Sequence, residues 1–385
     1  MTTHSLIAPS GAGTWSECTG WVIMTQQYPE TTRSEDAREG DAAHEVAARM
    51  IDSASRGAVD LPARTAIVGS TASNGVVISE ELYESAETYA SSCVATMRER
   101  SVFAGQWVGI EQHVEAPRVH PLSHGTIDFF LYDRRGNELF IRDFKNGHAV
   151  VEVFENKQLI NYAAALLDLF GIDGHADQSL RITFAIVQPR AYHRDGPVRT
   201  WSCMASDLRG LINQLSWRAA EALGPAAQCK SGAHCKDCPA RHACPAAIAA
   251  GMGLYEVCAR PVTDELSSDA LGLQYSIVTR CRKALELVET GYAQQIESTL
   301  RSGGSVPGYA LVEGRGKEAW KVPTVDLENL GRMLGVPLTK PKPITPNQAR
   351  KAGVDPAIVE AYADRPRTGM QLAPANINRA RSVFA

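Results

Sequence analysis

The alternation of apolar and polar residues divides the first two thirds of the chain into helical and strand-like segments. Helical spacing of apolar residues is found at 34–55, roughly 79–99, 155–171 and 206–223. Five shorter runs are typical of strands, namely QWVGIEQHVEA, GTIDFFLYD, ELFIRDFK, SLRITFAIVQP and VRTWSCMA. The order of helices, three strands, helix, two strands and helix predicts an α/β core with a mixed sheet flanked by helices.

The remainder of the chain has a different pattern. A cysteine-rich stretch at 229–244 is followed by a helical segment at roughly 264–300 and then by a region with several Pro and Gly breaks. We therefore predict two parts. Residues 1–260 form one domain, with an N-terminal helical part and the cysteine stretch at its end, and residues 261–385 form a small helical or irregular accessory region.

Composition places the protein in the ordinary soluble class. Of its 385 residues 44% are hydrophobic and 21% are charged. The chain has no apolar run of about 18 residues, so a membrane-spanning helix is not expected. The N-terminal residues lack the pattern of a signal peptide, so a cytoplasmic location is expected. The net charge is −4, but residues 301–385 carry +6 and the first 300 residues carry −10. A basic C-terminal region permits a nucleic-acid contact without requiring one.

Two acidic residues and a lysine lie near the ends of neighbouring predicted strands. Asp143 and Lys145 in IRDFK share one face of a strand, with Phe144 on the other, and Asp128 lies in the preceding strand GTIDFF. Carboxylates on adjacent antiparallel strands can converge on one divalent ion, Mg²⁺ or Mn²⁺, and the lysine can then orient water or stabilise developing charge. The plainer interpretation is an exposed Asp–Lys pair at a sheet edge.

Two helices supply further candidates. Gln158 and Tyr162 are four residues apart, hence on one helix face, where they could hold a phosphate or position the lysine. The plainer interpretation is a half-buried amphipathic helix. His44, in GDAAHE, could be another metal ligand, although a single helical histidine is more often structural.

The cysteine stretch indicates a second metal site. Cys229, Cys235, Cys238 and Cys244 have the spacing C-x5-C-x2-C-x5-C, and a C-x2-C pair suits a tetrahedral thiolate site. Four thiolates can hold Zn²⁺ or an iron–sulfur cluster. Cys18 is a fifth candidate ligand, distant in sequence.

The ordered motifs resemble the RecB-type branch of the PD-(D/E)XK nucleases. They are Gly40-x3-His44, Gly125 to Asp128, Asp143-x-Lys145 and Gln158-x3-Tyr162. The resemblance implies a restriction-endonuclease-like core, with His44, Asp128 and Asp143 as metal ligands. Asp128, Asp143, Lys145, Gln158 and Tyr162 are then the catalytic set.

The resemblance also bears on the cysteines. CRISPR-adaptation nucleases and AddB-type subunits have an iron–sulfur cluster, which implies a 4Fe–4S cluster on Cys18, Cys235, Cys238 and Cys244 here. The additional Cys229 leaves the fourth ligand open, and a local four-cysteine zinc site is the alternative.

A phage and prophage group of RecB-like proteins is the nearest resemblance, over almost the whole chain. It is carried mainly by EGDAAHE and by PGYALVEGR at 307–315. It implies a metal-dependent deoxyribonuclease in the bacterial cytoplasm, an exonuclease that acts on DNA ends in phage replication or recombination. A phage single-strand annealing or binding protein is a candidate partner. The alternatives are a structure-specific endonuclease and a catalytically idle DNA-binding scaffold.

The basic C-terminal region contains candidate DNA contacts. Arg315, Lys317 and Lys321 surround Trp320, and such a group can grip a phosphate backbone while the aromatic ring stacks on a base. The alternative is a structural appendage whose basic residues pair with the acidic body.

Overall fold

The computed structural model describes residues 5–29, 35–56, 64–102, 107–172, 178–259 and 267–311, with 329, 332–333 and 355–357 in addition. The chain divides into two units, Met1–Leu311 and Val312–Ala385, and few residues of the second are described. The predicted boundary at residue 260 falls between two helices of the first unit. The candidate DNA contacts Arg315, Lys317, Trp320 and Lys321 lie outside the described residues.

Helices flank a five-stranded sheet in the first unit. They are α1 (Ala12–Trp15), α2 (Trp21–Gln27), α3 (Glu35–Ser55), α4 (Arg64–Ile67), α5 (Glu80–Arg100), α6 (Lys157–Leu169), α7 (Arg209–Leu223), α8 (Pro245–Ala259) and α9 (Ser268–Arg301). The strands are β1 (Val108–Glu115), β2 (His124–Asp133), β3 (Glu138–Phe144), β4 (Arg181–Val187) and β5 (Val198–Met204). No described helix is long and apolar enough to cross a membrane.

The sheet has the strand order β1-β2-β3-β4-β5. Its pairs are antiparallel except β3 with β4, which run parallel, so that α6 forms the crossover between them. The predicted α/β core with a mixed sheet flanked by helices is therefore confirmed. All five strands were predictable because each combines a run of apolar residues with turn residues at its ends.

Each face of the sheet is covered by its own set of helices. Ile141 and other residues of one face pack with α6 and α7, in a cluster that we call the α6 core. Phe129 and Phe144 on the opposite face pack with α3 and α5, in a cluster that we call the α3–α5 core. Phe144 is fully buried there, and its ring stacks on Tyr89 with 4.8 Å between centroids. The end of β3, which contains Asp143 and directly precedes Lys145, is thereby fixed from both sides.

Truncation of Phe144 should destabilise the protein strongly. Phe144→Ala leaves a cavity between β3 and α5, and we expect the free energy of unfolding to fall by about 3–5 kcal/mol. Phe154→Ala is the control, because that ring is 63% exposed and its loss should cost less than about 1 kcal/mol. Urea denaturation of both variants provides the measurement. Equal losses for the two would contradict this account of the α3–α5 core.

Candidate functional site

Three acidic residues form a row across the first three strands. The β1–β2 register pairs Ile110 with Phe129 and Gln112 with Ile127, which sets Glu111 opposite Asp128. The β2–β3 register ends with Phe129 opposite Arg142, and one further step sets Asp128 opposite Asp143. The pairing of β2 with β3 ends just before this row, and the Phe144 N–H donates to Asp128 Oδ2 at 2.7 Å.

Asp143, Lys145 and Gln158 form a closed ring of polar contacts. Lys145 Nζ lies 3.0 Å from Asp143 Oδ2 and donates to Gln158 Oε1 at 3.1 Å. Gln158 Nε2 completes the ring by donating to Asp143 Oδ1 at 2.8 Å. The predicted common face of Asp143 and Lys145 is therefore correct, and it is the face that α6 covers. Asn156 caps α6 by accepting from the Gln158 and Leu159 N–H groups, which fixes the helix start beside the ring.

Tyr162 lies one turn further along α6 and ties the ring to β2. Its hydroxyl donates to the Thr126 carbonyl at 2.6 Å and accepts from Gln158 Nε2 at 3.3 Å. Gly125 is needed beside it, because a Cβ there would come within 2.8 Å of Pro9 Cδ. Gln158 thus contacts Asp143 and Lys145 directly, and Tyr162 contacts Gln158. The expected roles of the pair, holding a phosphate or positioning the lysine, remain predictions.

His44 reaches the acidic row from α3 on the other side of the sheet. Its ring packs on Phe144 at 5.1 Å between centroids. His44 Nδ1 lies 3.2 Å from Glu111 Oε1 and 3.6 Å from Asp128 Oδ1. Glu111 was not among the site residues predicted from the sequence. The signal that could have identified it is the register of β1 with β2, which brings Glu111 opposite Asp128. That register cannot be deduced from the sequence alone.

The electrostatics of the site reflect carboxylates removed from water. Burial raises the pKa of Asp128 and of Asp143 above the usual range, although His44 and Lys145 act in the opposite direction. Burial also opposes charge on His44, but Asp128 and Glu111 outweigh it and raise the pKa of His44 to about 9. In Lys145 the same competition ends with a raised pKa, because Asp143 and Asp128 favour the ammonium form. In the metal-free site, the protonated side chains of His44 and Lys145 therefore balance the charge of the carboxylates.

The donors present fit a divalent ion. Ligand atoms of His44, Glu111 and Asp128 lie within 4.8 Å of one another, a spacing from which they can coordinate one ion. Imidazole nitrogen and carboxylate oxygen suit Mn²⁺ and related ions. Asp143 lies outside that trio, yet its buried Oδ2 receives no hydrogen bond of good geometry despite the nearby lysine. Such an unsatisfied oxygen is available to a cation. The expected ligand set of His44, Asp128 and Asp143 remains a prediction.

The cysteine stretch meets the N-terminal turn of the chain. The Gly20 N–H donates to the Gln228 carbonyl at 2.8 Å, and the Lys230 N–H donates to Cys18 Sγ at 3.3 Å. A Cβ on residue 20 would lie 2.6 Å from the Cys229 nitrogen, so only glycine permits this approach. Two segments more than 200 residues apart are thus held side by side.

Five thiols gather where these segments meet. Cys18, Cys235, Cys238 and Cys244 are buried and Cys229 is partly exposed. Burial and the neighbouring thiols raise the pKa of Cys229 to about 12, while burial raises that of Cys238 to about 11. In the described part of the chain, no three ligand atoms of this group lie within 4.8 Å of one another. A tetrahedral zinc site, with Zn–S bonds of about 2.3 Å, needs its sulfurs closer than that.

The whole of this arrangement falls inside one matched region. A family model described as "Protein of unknown function (DUF2800)" matches residues 4–352. The chain belongs to the DUF2800 family. No curated protein matches it. The match includes Cys18, the acidic row and the cysteine stretch of this DUF2800 chain, so the two candidate sites lie within the matched region.

Metal binding at the acidic row should depend on pH through His44. Protonated imidazole cannot coordinate a metal, so a proton must leave when the ion binds. Because the pKa of His44 in the metal-free protein is about 9, we expect the affinity for Mn²⁺ to rise with pH and to level off above that value. The slope should be about tenfold per pH unit. Calorimetric titration of EDTA-treated protein across this range tests the expectation.

His44→Gln serves as the control, because it removes the titrating group while keeping a similar size. The variant should bind Mn²⁺ more weakly and should lose the dependence on pH. An affinity for the wild type that is constant across the range would show that His44 does not release the proton.

Proposed function

We propose that this protein is a divalent-metal-dependent deoxyribonuclease with a PD-(D/E)XK core of the RecB type. The observation that carries the proposal is the ring of Asp143, Lys145 and Gln158 next to Asp128 and His44. A surface Asp–Lys pair has no need of a buried partner carboxylate, and Asp143 is 1% exposed. Burying two carboxylates next to each other costs free energy. Such buried, perturbed acids concentrate at functional sites, and binding of a cation and a phosphate would account for them here.

The roles of the residues follow from their contacts. A bound divalent ion would polarise a phosphoryl oxygen and favour attack by water. Asp128 and His44 offer ligand atoms on the α3 side of the row. Lys145, held by Asp143 and Gln158, keeps ammonium protons with which it can orient water or stabilise charge that develops on the phosphate. Tyr162 and Gln158 hold that lysine and Asp143 in place and are positioning residues.

Two variants test the proposed chemistry. Asp143→Asn should abolish DNA cleavage, because it removes the charge that holds Lys145 and attracts the ion. Lys145→Ala should lower the cleavage rate by about 10²–10³-fold, the typical effect of losing one group that stabilises transition-state charge. Lys157→Ala is the matched control, since this lysine neighbours the ring on α6 but pairs with Glu17 outside it. Near-normal activity of the Asp143 or Lys145 variant would contradict the mechanism.

The same assay distinguishes the proposed exonuclease from its alternatives. End-labelled linear DNA and covalently closed circular DNA are incubated with the wild-type protein, with and without Mn²⁺. Loss of linear DNA alone supports an exonuclease, whereas cutting of the circle indicates an endonuclease. Binding to DNA with no cleavage of either form, in the presence of metal, would indicate a DNA-binding scaffold.

We further propose that the five-thiol group holds a 4Fe–4S cluster through Cys18, Cys235, Cys238 and Cys244. The approach of Cys18 to the cysteine stretch supports this ligand set, because it brings the N-terminal thiol to the segment that holds the other three. The Lys230 N–H donates to Cys18 Sγ, so the backbone of the cysteine stretch lies directly against that sulfur. Such a cluster would add a covalent link to the contact between the N-terminal turn and the cysteine stretch.

The colour and metal content of anaerobically purified protein test the cluster. The wild type and Cys229→Ser should be brown, with broad absorption at about 400 nm, and Cys18→Ser should lose most of that absorption. Colourless wild-type protein with one zinc per chain would contradict the proposal. If Cys18→Ser keeps the colour and Cys229→Ser loses it, the fourth ligand is Cys229 and not Cys18.

A further inference from the structure

The strands β1 and β2 change face at Glu111 and Asp128. Residues two apart in a strand normally point to the same side. Yet Ile127 packs in the α6 core, whereas Phe129 packs in the α3–α5 core. The partner strand changes in the same way, since Val114 packs in the α6 core and Ile110 against the α3–α5 core.

The backbone at this point is in an unfavourable conformation. Glu111 has φ = +46°, in the left-handed region that a glutamate seldom adopts, although it lies within β1. It also faces Asp128 across the strand pair, and like charges directly opposite each other are destabilising. Two local penalties therefore coincide at one residue. Conformational outliers of this kind concentrate at functional sites.

The change of face has a clear effect on the Glu111 side chain. Its carboxylate is brought to the His44 imidazole, 3.2 Å from Nδ1, and within 4.8 Å of the Asp128 ligand atom. Its side chain is 35% exposed while that of Asp128 is 9% exposed, so the trio opens to solvent on the Glu111 side. An ion from solution can therefore reach all three groups.

We propose that Glu111 is a protein ligand of the divalent ion and that the strained backbone of β1 at Glu111 serves to bring this ligand to the ion. This inference rests on the proposed function, since it concerns the ion of the same site. Asp143 differs from Glu111 in that its Oδ1 accepts from Gln158 Nε2 and its Oδ2, which receives no hydrogen bond, lies 3.0 Å from Lys145 Nζ. Among the residues of the site, the Glu111 carboxylate makes its hydrogen bond with His44. A bound metal ion would replace that hydrogen bond. The ion is then seated between α3, β1 and β2, next to Asp143 and Lys145.

The test compares Glu111→Gln with Glu115→Gln. Both residues are exposed acids of β1, but Glu115 pairs with His124 at the far end of the strand, away from the row. Manganese affinity is measured by calorimetry on EDTA-treated protein, and thermal unfolding is followed with EDTA and with Mn²⁺. For Glu111→Gln we expect the affinity to fall by at least about tenfold and the Mn²⁺-dependent rise in melting temperature to shrink. Glu115→Gln should match the wild type in both.

The outcomes separate this inference from the proposed function. If Glu111→Gln binds Mn²⁺ like the wild type and only the metal-free protein is less stable, Glu111 is a structural residue and the inference is wrong. If the wild type binds no Mn²⁺ at all, the inference and the proposed metal-dependent activity both fail. If Mn²⁺ binding depends on Glu111 but no DNA is cleaved, the ligand assignment stands and the nuclease proposal fails.

Discussion

The burial of Asp128 and Asp143 beside each other is the constraint on which the rest of the molecule depends. Each carboxylate taken out of water must regain its hydration energy from partners, and two like charges together need cations as well. The partners come from every neighbouring element. His44 belongs to α3, Gln158 belongs to α6, and Lys145 follows β3. The backbone N–H of Phe144, at the end of β3, donates to Asp128.

This requirement explains how the two helical layers are placed on the sheet. The residue between Asp143 and Lys145 must point away from them, and Phe144 accordingly anchors the α3–α5 core. That ring also supports His44, so the strand that carries one acid positions the imidazole that contacts the other. On the opposite face, Asn156 and Tyr162 fix α6 at its first turns. The core and the site are therefore not separable parts of the structure.

Much of the fold could be predicted from the sequence because its signals are local. Apolar runs marked the five strands, and the two-residue period put Asp143 and Lys145 on one face. The helical period likewise put Gln158 and Tyr162 together. Glu111 was missed because its role depends on the pairing of β1 with β2 and on a reversal of face that breaks the strand period. The contact of Cys18 with residue 230 is equally non-local. Spacing alone left Cys18 as a distant candidate, and the family resemblance was what placed it with the cysteine stretch.

The central claim is that one divalent ion lies in the row of acids, between α3 and the first strands. Diffraction from crystals soaked in Mn²⁺, recorded at a wavelength where manganese scatters anomalously, locates that ion directly. The account predicts an anomalous peak within coordination distance, about 2.0–2.3 Å, of His44, Asp128 and Glu111 atoms. A well-ordered row with no peak, or a peak bound elsewhere on the chain, would contradict it.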